Sequence, residues 1–473
     1  MNYYKELKKI NFFIHEYKID VQRIGNHKIW PLIRVQIIDS ILIKKDVLGK
    51  RNHSEITIRD IGLIVKNSLK SCFSIVSLLL SQKTKKYVFA GFSRRVLESN
   101  QYIDKFHDPI IESLPSEDCL MLEKPFQKTH YPDRATKCAI IDIDLLVYLS
   151  ETSIFLLKPF LRKKYQTDVD NLVSMLSPIY DDKQSIERVV YKELSTFITM
   201  NLFNRILLKK LKPQKVIVTT KWIHRSLLYC ANIAGIETYE LQHGVTLKQN
   251  IAYSRDSDGD MGVKNFLAFG DYWCKGYQWG GDVNVIPFGF KYINNKVAEV
   301  VNKVEPNISH VERILFISQP ELFKKTNQEL NLLAKDNIDK QFILKLHPQD
   351  VGRYEERYNL ALNNSNVSVI SNKSIDNYIL FSEVDYVIGY NSTLLYEALY
   401  FDCSVHIINL EKQDLFLTFG DSLNYFHQIF DCKLSFNSKN KKKILISQQQ
   451  ENKRMIFKYL SNAEIRDFFK ENK

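Results

Sequence analysis

The sequence predicts an α/β protein built from two Rossmann-like domains, with a helical N-terminal extension and a C-terminal helix. Three observations carry this. From residue 85 onward, short β-rich runs alternate with helix-length segments, the pattern of parallel strands joined by crossover helices. A chain of 473 residues is too long for one ordinary core and suits two domains plus extensions. Hydrophobic residues make up 45% and charged residues 25%, which supplies those cores and argues against disorder.

Residues 1–84 read as the helical extension. Tyr3, Leu7, Ile10, Ile14 and Tyr17 repeat at the spacing of one helix face, so this first helix needs a partner surface. Residues 85–290 read as the first domain, with strands expected at "YVFAGF", "CLMLE", "KVIVTT", "ETYELQ", "FLAFG" and "VNVIPF". The polar stretch 290–311, which contains Pro306, reads as an interdomain linker. Residues 312–432 form the second domain, with strands at "RILFIS", "QFILKLH", "VSVIS", "DYVIGY" and "SVHIINL". A basic helical segment, 433–473, ends the chain. Without a short-period repeat, solenoids are excluded.

The net charge of +12 is segregated. Residues 1–86 hold 17 Lys and Arg against 7 Asp and Glu, and residues 433–473 hold 11 against 4. Such ends suit an anionic membrane face, at about 1 kcal/mol per nearby cation, or are solvated helix faces. Nucleic acid is not expected, since no zinc-ligand spacing, aromatic RNA-binding strand or helix-turn-helix pattern is present. The N-terminus lacks a cleavage-site pattern. The apolar stretch "CFSIVSLLL" has nine residues, roughly half of what a bilayer-spanning helix needs. Seven widely spaced cysteines without a C-x-x-C pair read as reduced thiols. The expected location is therefore cytoplasmic, peripheral on the inner face of the membrane.

Ligands of Rossmann-like sheets bind beyond the carboxyl ends of strands. Three strand ends carry unusual chemistry. In "LQHGVT", His243 can accept a proton near neutrality, and Gln242 and Gly244 flank it where an acceptor would approach. In "FILKLHPQD", Lys345 and His347 share one side of a strand that Pro348 ends; a phosphate or the Asp350 carboxylate would satisfy His347. In "VIGYNSTLLYEALYF", the strand breaks at Gly389 and a helix starts near Asn391, Ser392 and Thr393. Those hydroxyls either cap the helix or face an anion at its N-terminus. With Thr393 as cap, Glu397 is no capping-box partner and is left for ribose hydroxyls or a solvated face.

Together, "QHG", "LHP" and "NST…E", in this order and spacing over residues 85–430, resemble the GT-B glycosyltransferases of bacterial capsule, lipopolysaccharide and teichoic-acid synthesis. The "HP" and the Ser/Thr pair are similar to those of bacterial sialyl- and Kdo transferases, where they hold the phosphate of a CMP-activated sugar. "LQHGVTLKQN" resembles the "WHGTPLK" stretch of the CDP-glycerol phosphotransferases, with Gln242 standing where those enzymes have Trp. The resemblance implies His243 as base. It assigns the donor to His347, Pro348, Ser392, Thr393, Glu397, Lys345, Gln319 and Asn391, with Ser318 beside Gln319. Gln242, Gly244, Arg94 and Arg95 fall to the acceptor, the two arginines because "SRRV" follows the first strand. The partners implied are a nucleotide-sugar donor, a glycan or lipid-linked glycan acceptor and an anionic membrane surface. No cofactor and no metal is required.

"RDSDGDMG" (255–262) imitates metal motifs. As an EF-hand loop it fails, with Met261 at the glycine position and Leu267 at the glutamate position. Its D-x-D stands in a polar loop, read as a mobile cleft element. Three alternatives to glycosyl transfer remain: polyol phosphotransfer, a non-catalytic role in glycan assembly, and sugar-nucleotide epimerisation, which the basic ends disfavour.

Overall fold

The computed structural model describes residues 3–45, 57–81, 83–91, 93–126, 128–246, 258–274, 283–301, 311–347, 350–371, 376–390, 392–401, 403–408, 426–429 and 455–470. The chain divides into two compact units. The first comprises Met1–Ala268, Tyr277–Ile286 and Ser461–Lys473; the second comprises Phe269–Gly276 and Pro287–Leu460.

Unit 1 holds a seven-stranded sheet of β1 (Tyr87–Ala90), β2 (Cys119–Glu123), β3 (Ala139–Asp142), β4 (Lys215–Thr219), β5 (Glu237–Leu241), β6 (Asn265–Ala268) and β7 (Asn284–Pro287). Their spatial order is β7-β6-β5-β4-β1-β2-β3. Pairing is parallel from β6 through β3, with Val88 of β1 opposite Leu120 of β2 and Val216 of β4. The chain therefore builds outward from β1 in one direction, then returns to add β4 on its other side. That reversal leaves a crevice at the carboxyl ends of β1 and β4, where a doubly wound sheet takes its ligand. β1 and β4 are buried along their whole length, as strands covered on both faces must be.

A second core in unit 1 is helical. It joins α1 (Tyr3–Glu16) and α2 (Trp30–Lys44) to α5 (Ile154–Leu176) and α6 (Lys183–Leu211). Leu7, Ile10 and Ile14 are buried as their spacing predicts, and α2 is the partner that α1 requires. Helix α2 buries Trp30, Ile33, Ile37, Ile38 and Ile41, and reads as apolar on almost every side because neighbours cover it all round. The predicted extension is thus part of unit 1.

Helix α3 (Ile58–Leu80) has 23 residues and is started by a capping box between Thr57 and Asp60. The nine-residue apolar stretch read from sequence is only its last part. By length and composition Asp60–Leu80 is long and apolar enough to cross a membrane. One face nevertheless rests on unit 1: the Ser71 hydroxyl donates to the Asp142 carbonyl at 2.6 Å, and Leu78 enters the core of the sheet. Helix α4 (Asp144–Thr152) packs beside α3 and runs through Ser153 into α5. The last described helix of unit 1, α12 (Asn462–Lys470), closes the sheet from the far end of the chain. Its Phe469 ring meets Tyr87 of β1 at 6.1 Å and Tyr239 of β5 at 5.9 Å.

Unit 2 holds β8 (Arg313–Ile317), β9 (Gln341–Lys345), β10 (Val367–Ile370), β11 (Tyr386–Gly389), β12 (Ser404–Ile408) and β13 (Phe426–Ile429), in the order β10-β9-β8-β11-β12-β13, all parallel. Here too the order reverses, between β8 and β11. Ile314, Phe316, Leu344 and Ile388 pack against Leu330 and Leu333 of α9 (Phe323–Asp336). Of the residues expected as a linker, 291–301 form α8 (Lys291–Val301) inside this unit, where Tyr292, Ile293 and Val300 are buried together with the polar Asn294 and Lys296; Pro306 lies outside the described residues.

Ile37→Ala leaves a hole among fully buried side chains of the helical core, and costs about 2–5 kcal/mol. Urea denaturation checks this, with an unchanged slope indicating that the native and unfolded states are otherwise the same.

Candidate active site

At the carboxyl edge of unit 2, the tips of β8 and β9 are tied together. Ser318 donates its N–H to the Lys345 carbonyl at 3.0 Å, and its hydroxyl accepts the N–H of His347 at 2.8 Å. The backbone that carries His347 is therefore fixed by a buried serine. Asp350, one of the two partners open to His347 from sequence, spends its carboxylate elsewhere: it accepts from Tyr358 Oη at 2.9 Å and pairs with Arg357. Lys345 is half-buried, and burial pulls its pKa below the usual lysine value against the opposing charge of Asp376. Gln319 follows Ser318, half-buried, at the start of the next turn. Pro348 and Asn391 lie outside the described residues.

The β11 tip approaches β8 closely. A Cβ at Gly389 would stand 3.3 Å from Leu395 Cδ2 and 3.4 Å from the Ile317 carbonyl oxygen, so glycine lets the following helix start against the sheet. That helix, α11 (Thr393–Leu399), is capped by Ser392, whose hydroxyl accepts the Leu394 N–H at 3.3 Å. The expected cap was Thr393. Moving it back one residue places the box position on Leu395, so Glu397 is free of that duty in either register. Nor is Glu397 on a solvated face. It is buried against the Tyr378 phenol, its side-chain hydrogen-bonding neighbour. That phenol is pushed well above its ordinary pKa by burial and by the Glu397 charge.

At the carboxyl edge of unit 1, His243 lies just past β5 with its ring edge-on to Phe106 at 6.4 Å. Burial lowers its pKa to about 4, so at neutral pH the imidazole is uncharged and able to accept a proton. Gln242 does not face an acceptor as expected. It is buried, donating its amide to the Gly244 carbonyl at 2.9 Å and to Thr246 Oγ1 at 3.3 Å, and so shapes the loop that presents His243.

Sequence reasoning passed over two further histidines here. His107 Nδ1 lies 3.0 Å from Asp104 Oδ2, and its buried Nε2 has no hydrogen-bond partner. His224 Nε2 lies 3.1 Å from the Gly91 carbonyl, bridging the ends of β1 and β4. A Cβ on Gly91 would come within 2.8 Å of Asp104 Oδ2 and 3.1 Å of His107 Nδ1, so only glycine fits. The signal for His224 was "WIHRS", one turn beyond the apolar β4; His107, in "KFHDP" and 17 residues past the end of β1, had no such signal.

Arg95 is a correction. Expected to meet an acceptor, it is buried and forked between Glu123 Oε2 at 2.5 Å and Asp108 Oδ2 at 3.1 Å. Arg94 is exposed. Glu123 also accepts from Arg134 at 2.9 Å, and Arg134 reaches Asp142 at 2.7 Å. His130 completes the network, 2.7 Å from Asp144 through Nε2. Glu123, His130 and Asp142 have metal-ligand spacing. The Arg134 guanidinium already bridges the two carboxylates, doing there what a metal ion would do.

The D-x-D loop is also corrected. Asp258 is buried between Lys221 Nζ at 2.6 Å and Arg34 Nη1 at 3.1 Å. Burial would raise its pKa, yet the two cations hold it at about 2. Anchored this way, Asp258 pins a loop instead of binding metal; Asp256 lies outside the described residues.

The two sheets define an α/β chain of two doubly wound, Rossmann-like units. No protein-family profile and no curated protein sequence matches the chain. Among solved structures it is similar to the UDP-GlcNAc 2-epimerase of Methanocaldococcus jannaschii in complex with UDP-GlcNAc and UDP, at 10% identity over 82% of this chain and 99% of that one, TM-score 0.45. It is also similar to the wall teichoic acid polymerase TagF, at 12% identity over 87% and 91%, TM-score 0.38. A shorter match, at 16% identity over 24% and 44% with TM-score 0.18, is to KpsC of Thermosulfurimonas dismutans, a β-Kdo 2,4 transferase.

His130 generates a pH prediction. Burial alone would lower its pKa, but hydrogen bonds to Asp144 and Glu123 and the charges around it raise it to about 9. A folded pKa above the unfolded value gives stability that is complete below about 6.5 and lost as pH rises through about 9. The loss is at most about 3 kcal/mol. Urea denaturation at pH 6 and pH 9.5 measures it, and in His130→Gln the difference should shrink.

Proposed function

We propose that the protein is a glycosyltransferase that moves a sugar from a nucleotide-activated donor, CMP-linked by the motif resemblance, to a growing capsule or lipopolysaccharide glycan. Glu397 carries this reading: a buried carboxylate set against the Tyr378 phenol, beside the switch point of a Rossmann-like sheet, suits the hydroxyls of a ribose. His347, on its fixed backbone, and the hydroxyls of Ser392 and Thr393 would meet the donor phosphate. Such stabilisation of a departing charge is usually the largest catalytic contribution. His243 would take the proton as the acceptor oxygen bonds to the anomeric carbon. The sugar–phosphate bond breaks and the nucleotide leaves with the electron pair. No metal enters this scheme. The enzyme would work in the cytoplasm beside an anionic membrane that holds a lipid-linked acceptor.

Thermal-shift measurements against CMP, CDP, UDP and GDP test the donor site. A nucleotide at 100 times its Kd stabilises the folded state by about 2.7 kcal/mol. At a fixed concentration Glu397→Gln should reduce that shift and His243→Ala should preserve it, while transfer by His243→Ala falls about 10²- to 10⁴-fold. If no nucleotide shifts the protein, the donor assignment fails. The proton-accepting role gives its own signature. In the free enzyme His243 stays neutral down to about pH 4, so kcat/KM should keep its plateau through pH 6 and fall only near that value.

The likeness of "LQHGVTLK" to the CDP-glycerol phosphotransferases favours a second reading, attack on phosphorus. Labelled CMP-sugar and labelled CDP-glycerol distinguish the two by which label enters polymer.

A further inference from the structure

Helix α3 presents to solvent a face that a water-soluble surface does not need. Ile58, Ile61, Val65, Leu69, Phe73, Val76 and Leu80 recur every three or four residues along it, and all are exposed; Phe73 is 76% and Leu80 79% accessible. This spacing is one stripe of a helix about 34 Å long. The opposite face is committed to unit 1. Ser71 donates to the Asp142 carbonyl, Asn67 Nδ2 donates to the Lys128 carbonyl at 3.2 Å, and Leu78 is buried. A helix crossing a bilayer would have to abandon those contacts and carry Lys66 and Lys70 into hydrocarbon. A helix lying flat keeps all of them.

The charges around the stripe choose its occupant. Lys66 is exposed along the edge of the stripe, whereas Lys70 is turned to unit 1 and pairs with Asp142 at 3.1 Å. Asp60, the only acidic residue of α3, is spent on the Thr57 cap and Lys128. Two copies of this face brought together would set Lys66 beside Lys66 with no carboxylate of α3 left to meet them. An anionic lipid surface meets both needs, taking the apolar stripe at the acyl boundary and pairing phosphate headgroups with Lys66. The chain repeats this chemistry nearby. Helix α4, packed on α3, leads into the first turns of α5, where Phe155, Leu156 and Phe160 are exposed just ahead of the exposed Lys163 and Lys164.

We propose that α3 is an in-plane membrane anchor, which seats its Ile58-to-Leu80 stripe on anionic bilayers while its inner face stays bound to unit 1. The inference deepens the membrane part of the proposed function and is independent of the donor. Full-length protein is sedimented with phosphatidylcholine vesicles and with vesicles containing phosphatidylserine. The expected result is binding to the anionic vesicles that weakens with salt. Partitioning of Leu69→Glu/Phe73→Glu should fall at least tenfold, with the thermal unfolding midpoint unchanged because both positions are exposed. Replacing Lys66 with Gln should weaken binding to anionic vesicles and leave any binding to neutral vesicles as it was.

Wild type that ignores both vesicles overturns the anchor together with the membrane reading. Wild type that binds while the double variant binds equally well overturns the α3 assignment alone. Dimerisation of the wild type in sedimentation equilibrium, abolished in the double variant and without vesicle binding, assigns the face to a second copy and also overturns the proposal. The nucleotide thermal shifts stand or fall separately from all of these outcomes.

Discussion

Glu123 is the residue on which the architecture of unit 1 turns. It ends β2 with a carboxylate buried in protein, where an unmet charge is intolerable. Arg95, from the loop after β1, and Arg134, from the loop before β3, both reach it. Three strand tips are thereby locked by one side chain. Each arginine also reaches a second buried carboxylate, Asp108 from Arg95 and Asp142 from Arg134, so neither serves Glu123 alone. The same rule sorts the buried charges into those that build and those that bind. Asp258, with two cations, builds. Glu397, set against a tyrosine phenol in place of a cation, stands at the edge of the second sheet, where the proposed function gives it a ligand.

Close backbone approach is the second constraint. Gly91 in unit 1 and Gly389 in unit 2 each follow a strand that borders the reversal in strand order. At Gly91 the space a Cβ would take is filled by the Asp104–His107 pair, and at Gly389 by Leu395 and the Ile317 carbonyl. In each unit the crevice edge is thus shaped by what a glycine lacks. The polar side chains beyond it are held by local devices: Ser318 fixes the backbone of His347, and Gln242 folds the loop around His243.

How far this could be read from the sequence follows from the range of each interaction. Strands buried on both faces announce themselves as unbroken apolar runs, and "CLMLE" and "KVIVT" coincide with β2 and β4 as observed. β3 escaped notice because "AIID" flows through Ile143 into the helical "DLLVYL", and a four-residue edge strand ending in aspartate looks like a helix start. His243, His347 and Ser392 could be singled out because each stands next to a strand end in the chain itself, and the structure places each at such an end. Arg95 misled for the opposite reason. Its partners lie 13 and 28 residues away, and no local pattern separates an arginine that meets a substrate from one that meets a buried glutamate.

Helix α3 shows why length must be judged together with packing. Its apolar residues stand out in "CFSIVSLLL" and thin out toward the N-terminal end, so a window placed on the densest part reports nine residues and misses fourteen more. The full helix is long enough to span a bilayer, yet composition alone cannot say whether it does. What decides is that its polar inner residues are already satisfied by unit 1: Ser71 by the Asp142 carbonyl and Asn67 by the Lys128 carbonyl. Those bonds exist only in the folded state, and in hydrocarbon each lost partner would be costly. Folding therefore takes a segment with the composition of a spanning helix and leaves it one free face, which is the geometry of a helix that lies in an interface.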